Sequence, residues 1–170
     1  MLMAEHYLKQ TTAPSSAPIT VAEAKAHMRV DVSDDDTLIG SLIDTAVAQL
    51  DGYDGTLGGR AMVTQSWTLS TRYALENKIY LPVAPVQSVT SISYYDGDDA
   101  NQTATVSDYY LHKFEDVAWM YPKSGKSWPS VYDRPDAFRV EFVTGYGAAS
   151  AVPDDIKTAL LLMVAHWYAN

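Results

Sequence analysis

The closing stretch of the chain, Pro153 to Asn170, limits what the sequence can fold into more than any other. Pro153 suits the first helical position, where an N–H would have no partner anyway. Asp154 and Asp155 follow in the first turn, where the helix dipole favours negative charge. Ile156, Ala159, Leu160, Met163, Val164 and Trp167 then recur at helical spacing. Leu161, Ala165 and Tyr168 make a second stripe, and Leu162 widens it. Only Lys157, Thr158 and His166 interrupt the apolar girdle. A helix apolar around most of its circumference has to be covered on more than one side. It is either the central core helix of a small domain or a helix with its own core behind it and another protein in front. The end at Asn170 has neither a C-cap glycine nor a basic last turn, which predicts that the helix continues or that a partner orders it.

The rest of the composition narrows the class. A chain of 170 residues suffices for one domain with a real core. It has no cysteine, which removes disulfides and thiolate chemistry. No apolar run reaches the length of a membrane span, so no membrane partner is expected. The formal net charge of −9 opposes broad attraction to nucleic acid phosphates. Twelve tyrosines and four tryptophans exceed what a core of this size needs and point to contact surfaces.

Residues 1–18 have little periodicity and end in Thr-Thr-Ala-Pro-Ser-Ser-Ala-Pro, which reads as a flexible N-terminal arm. Residues 19–170 read as a single domain. Thr20 and Glu23 form a capping box ahead of a short helix to Arg29. A second helix starts at Ser33 or Asp34, with Asp34, Asp35 and Asp36 crowding its first turn. Leu38, Ile39, Leu42, Ile43, Ala46, Val47 and Leu50 give it one apolar face, and Gly52, Gly55, Gly58 and Gly59 end it in a flexible loop. Between about 60 and 146 the period changes to two, with strands around Val63–Leu69, Lys78–Leu81, Val86–Tyr95, Thr103–Val106, Tyr109–Phe114, Ala118–Tyr121 and Phe138–Phe142. The expected class is α+β: a small bundle of the N-terminal helices (about 20–51) and the C-terminal helix (153–170), with an antiparallel β-rich segment inserted between them.

Chemistry-bearing patterns are weak. Ser124-Gly125-Lys126-Ser127 resembles the tail of a phosphate loop, but Met120 holds the first glycine position and Trp128-Pro129 follows where a helix should begin. Asp96, Asp98 and Asp99 lack the distal bidentate carboxylate of a calcium loop and read as a solvated hairpin tip. His6, His27, His112 and His166 show no metal-ligand spacing. No nucleophile elbow is present. The sequence therefore predicts no enzyme, no cofactor and no metal. Among Tyr94, Tyr95, Tyr109, Tyr110, Trp119, Tyr121 and Trp128, alternation hides about half; the others are interface anchors or a sugar-stacking platform.

Several segments together carry a resemblance. They are Pro18-Ile19-Thr20-Val21-Ala22-Glu23-Ala24-Lys25, Asp35 to Ala46, Gly59-Arg60-Ala61-Met62-Val63-Thr64-Gln65-Ser66-Trp67, Leu81 to Val89, Thr144-Gly145-Tyr146-Gly147, and Val152-Pro153-Asp154-Asp155-Ile156-Lys157. In this order and spacing the chain resembles the head–tail connector (adaptor) proteins of long-tailed phages and phage-like gene transfer agents. The resemblance implies a virion protein, assembled in the bacterial host cytoplasm, that forms a homo-oligomeric ring, generally dodecameric, below the portal protein. Such a ring extends the DNA channel and docks stopper or tail proteins, and DNA passes without specific binding. It also implies that the C-terminal segment meets the portal or a neighbouring copy, through Leu161, Ala165, His166, Trp167, Tyr168 and Asn170. Like-charge repulsion would keep a channel wall from holding DNA, which makes Asp34, Asp35, Asp36, Asp96, Asp98 and Asp99 candidates for facing it. Two other readings compete: a carbohydrate-binding β module with helical flanks, and a small hydrolase with paired carboxylates. The first requires open aromatic faces and the second a pocket with clustered acids.

Overall fold

The computed structural model describes residues 6–73, 77–114 and 116–170. Its helices are α1 (Val21–Met28), α2 (Asp36–Leu50) and α3 (Asp154–Ala169). Its strands are β1 (His6–Thr12), β2 (Gln65–Thr71), β3 (Ile79–Leu81), β4 (Val86–Tyr95), β5 (Asn101–Ala104), β6 (Tyr109–Lys113), β7 (Ala118–Pro122) and β8 (Phe138–Thr144). The class is α+β, with every strand pair antiparallel. The chain divides into two compact units: one holds residues 14–64 and 146–170, the other residues 1–13 and 65–145.

The helical unit forms around side chains the sequence places on facing stripes. Ile39, Ile43 and Ala46 of α2, Leu160 and Val164 of α3 and Ala24 of α1 are buried in one cluster with Ile19, Met62, Val63 and Val152. Thr20 caps α1: its hydroxyl accepts from the Glu23 N–H at 3.1 Å, while the Glu23 carboxylate accepts from the Thr20 N–H at 2.6 Å. The Thr20 hydroxyl also donates to the Glu23 carboxylate at 2.8 Å, and this bond first, then the one from the Thr20 N–H, lowers the pKa of the Glu23 carboxyl. Arg29 ends α1 in the left-handed region at φ 60°. Pro153 sits one residue before α3 as its N-cap, not inside its first turn.

The glycine-rich loop after α2 is more organised than its composition suggests. The Thr56 N–H donates back to the Gln49 carbonyl at 2.8 Å, and the Gly52 N–H to the Arg60 carbonyl at 2.8 Å. The Asp51 carboxylate accepts from the Met62 N–H at 2.6 Å, which brings Met62 and Val63 into the core. Gly55 lies directly under the end of α2, where an added methyl would fall 2.2 Å from the Leu50 carbonyl oxygen.

The β unit contains a five-stranded sheet in the order β1-β2-β8-β4-β5 and a three-stranded sheet in the order β3-β7-β6. In the first, Leu69, Val140 and Ile92 share a cross-strand row, and Thr71, Phe138 and Tyr94 another. Phe138, Val140 and Phe142 are buried, as the alternation of β8 requires. Tyr109 of the small sheet stacks on Trp128 at 4.3 Å, and Trp128 meets Phe138 edge-on at 5.7 Å, so the inward faces of the two sheets share these rings. Residues 6–12, read from sequence as part of a flexible arm, form a strand against β2. All of its side chains except Leu8 are exposed, so main-chain bonding to β2 holds it and no apolar alternation announces it. The first five residues of that arm lie outside the described residues.

Three substitutions test this packing. Leu160→Ala is expected to cost about 2–5 kcal/mol in denaturant unfolding, since Leu160 is fully buried. Leu162→Ala, at a side chain 57% exposed, should stay within about 0.5 kcal/mol. Gly55→Ala should lose about 1–3 kcal/mol in the same measurement, because the backbone of α2 must shift to admit the methyl.

Candidate protein interface

The register of the small sheet sorts its side chains by face. Tyr80, Trp119 and His112 form one cross-strand row, and Tyr121 and Tyr110 pair on the same face. Ile79, Met120 and Leu111 lie on the opposite face with Leu81, Ala118 and Tyr109. Ile79, Leu81, Met120, Ala118 and Tyr109 are buried, so that side belongs to the core. The aromatic side faces outward: Tyr80 is 45% exposed, Tyr110 46% and Phe114 55%.

The rings of this face pack on one another. His112 stacks on Tyr121 at 4.9 Å, and Phe114 on Trp119 at 5.1 Å. Centroids this close, with planes within 25°, mean that the rings stand face to face. Each ring covers one face of its partner. A sugar platform needs the opposite arrangement. Lys78 lies over Trp119 at 5.5 Å, and Lys123 over Tyr110 at 5.3 Å. Asn77, Lys78, His112, Trp119 and Tyr121 line a shallow concavity on this side.

The residues expected on α3 divide between core and surface. Leu161, Trp167 and Tyr168 are half-buried against the helical core, and Ala165 is half-buried. The Tyr168 hydroxyl donates to the Asp35 carboxylate at 2.6 Å, a bond that raises the tyrosine's pKa above its ordinary value. His166 and Asn170 are exposed, and the Asn170 amide donates to the His166 carbonyl at 2.8 Å. Ala159 and Leu162 share the exposed side with His166. The sequence reading puts Ala159 on the core stripe; the structure turns it to the surface.

The acidic residues also separate. Asp35 is bonded to Tyr168, and Asp36 accepts from the Lys25 ammonium at 2.6 Å; Asp34 is exposed. Asp96, Asp98 and Asp99 form the turn between β4 and β5. The Asp96 carboxylate accepts from the Gln102 amide at 2.7 Å and from the Ala100 and Asp98 N–H groups, in that order of effect, and its pKa falls. Asp99 pairs with Arg134 at 2.8 Å. Arg134 also donates to Asp136, as does Arg139, and the two guanidinium groups pack over the Tyr95 ring. Bonding to Arg134 first and Arg139 second keeps the Asp136 carboxyl below the usual carboxylate range. These charges pin the segment before β8 to β4 and serve the β unit itself.

Among the described residues, no buried side-chain polar atom lacks a hydrogen-bond partner, and no group of three or more His, Asp or Glu side chains is placed to hold a metal. Sequence reasoning missed Tyr80, His112 and Phe114 as members of the aromatic face, and of the seven aromatics it could only halve between core and surface, Tyr109 and Trp128 turn inward. The signal needed was the pairing of β3 and β6 on either side of β7, which sets which parity faces out.

The fold is shared with solved particle components. The chain is similar to a chain in the neck of an empty gene transfer agent particle with C6 symmetry, at 22% identity and a TM-score of 0.78. It is similar to a chain in the neck of a native gene transfer agent particle with C12 symmetry, at 19% identity and a TM-score of 0.70. A chain of the virion of a native gene transfer agent particle matches at 20% identity and a TM-score of 0.69. Each match covers 96% of this chain and 84% of the other. No curated protein sequence matches. The model of the phage gp6-like head-tail connector family matches residues 18–117, more than half of the sequence. The chain therefore belongs to the phage gp6-like head-tail connector family, whose members are structural proteins and not enzymes.

Proposed function

We propose that the protein forms a homo-oligomeric ring, a dodecamer, at the head–tail junction of a phage-like particle assembled in a bacterial cytoplasm. The ring sits below the portal protein, extends the DNA channel and offers a docking surface to stopper or tail proteins. Family membership supports the connector role. The C6 and C12 symmetries belong to the necks of the similar particles and support a ring with a multiple of six subunits. The observation that carries the reading is the outward aromatic face on β3, β7 and β6, which the described chain leaves in water.

The helical unit, acting as a small bundle, is the side that meets the portal. Its contact runs along the exposed side of α3, through Leu162 and His166 to Asn170, with Leu161, Ala165, Trp167 and Tyr168 bracing it from behind. DNA passes without specific binding. The acidic turn Asp96, Asp98 and Asp99, and the cluster Asp34, Asp35 and Asp36, supply the groups from which a repelling channel wall is drawn. The carbohydrate reading is weakened by the stacking of His112 on Tyr121 and of Phe114 on Trp119, which covers one face of each of these four rings.

Size measurement of the chain alone and with portal protein tests the assembly: oligomers or co-assembly are expected in at least one condition, and a persistent monomer in both contradicts it. Leu162→Asp is expected to weaken portal binding about tenfold or more, as loss of an apolar anchor does. The same variant should melt like the unmodified chain. Unchanged portal affinity would remove α3 from the contact.

A further inference from the structure

The aromatic face is basic as well as apolar. Lys78 and Lys123 lie over its rings, and β3, β6 and β7 contain no Asp or Glu. In a chain with 21 acidic and 12 basic residues, the strands of this face are a local reversal of sign, with Asp116 in the β6–β7 turn at their edge. Such a face fits a surface that is acidic and carries apolar side chains of its own.

The helical unit has that surface at the entry to α2. Asp31, Asp34, Asp35 and Asp36 crowd this segment, the densest acidic run in the chain. Beside them Val32 is 57% exposed and Leu38 51% exposed. Asp35 and Asp36 are engaged by Tyr168 and Lys25. Asp31 and Asp34 are exposed. The exposure of Leu38 is notable because its sequence position puts it on the apolar stripe of α2, yet Ile39, Ile43 and Ala46 fill the core without it.

We infer that, in the assembled ring, the aromatic–lysine face of one copy packs against the α2 entry of the next copy. Val32 and Leu38 seat on the ring edges, and Asp31 and Asp34 pair with Lys78 and Lys123. This rests on the ring reading above. A closed ring of one chain type needs two different and mutually complementary patches on each subunit, and these two patches have opposite charge and matching apolar content. Asp34 then belongs to the subunit contact, and the channel wall falls to the acids of the β4–β5 turn.

Charge reversal in the full chain tests the pairing. One variant carries Lys78→Glu and Lys123→Glu; a second carries Asp31→Lys and Asp34→Lys. Each is sized alone and with portal protein, after a melting curve establishes that it folds. Each variant by itself should lose the oligomer that the unmodified chain forms, because every contact then juxtaposes like charges. An equimolar mixture should restore it, because each mixed contact again pairs lysine with carboxylate. Assembly of either variant alone at the unmodified level overturns the inference and leaves the ring standing. So do two folded variants that fail to rescue each other. An unmodified chain that oligomerises in neither condition overturns both.

A second route covers a variant that does not fold. The chain has no cysteine. Tyr110→Cys mixed with Leu38→Cys should give a disulfide-linked heterodimer under mild oxidation, whereas Thr90→Cys mixed with Leu38→Cys should not. Equal linking from both pairs, or none from the first, contradicts the assigned contact.

Discussion

A sheet that buries one face and leaves rings on the other is the constraint on which the rest of the account depends. Apolar area left in water forfeits about 25 cal/mol per Å² relative to burial. The outward rings of β3, β6 and β7 therefore hold several kcal/mol in reserve for a partner, against which the cost of association is set. Stacking of His112 on Tyr121 and of Phe114 on Trp119 limits the exposure of the free chain.

The two compact units divide the work. The helical unit is built by complementary stripes: Ile39 and Ile43 meet Leu160 and Val164, and the loop after α2 adds Met62 and Val63. Side-chain hydrogen bonds lock its ends, Thr20 with Glu23 at α1 and Asp35 with Tyr168 between α2 and α3. The β unit is organised by main-chain pairing, with charge used sparingly. Arg134 and Arg139 converge on Asp136 and Tyr95 and fix one irregular segment; they are half-buried pairs, worth less than their number suggests.

Much of the helical unit was legible in the sequence, because its signals are local. The Thr20–Glu23 spacing specifies a cap within one turn, and the i, i+3, i+4 pattern of α2 specifies its face. Leu38 shows the limit: periodicity marks a side chain as apolar, while the diameter of the core decides whether it is needed. The β unit was legible as a set of strands and illegible as sheets. β8 pairs with β2 and β4, both distant in sequence, and nothing local in Phe138–Thr144 encodes that choice. β1 escaped notice because His6–Thr12 lacks apolar alternation and is held mainly by backbone bonds, with the Gln10 side-chain amide donating to Gln65. The aromatic face was hidden for the same reason: Tyr80, His112 and Trp119 become neighbours only once β3 and β6 flank β7. The Asp35–Tyr168 bond joins residues that share no sequence signal.

The central claim is that the outward rings of the small sheet are covered in the working assembly. Hydroxyl-radical footprinting, read by mass spectrometry at Tyr80, Tyr110, Phe114 and Trp119, measures this directly in the free chain and in the assembled neck. Ready oxidation of these rings is expected in the free chain and strong protection after assembly, with the buried Phe138 and Phe142 protected in both. Equal oxidation of the four rings before and after assembly would contradict that claim.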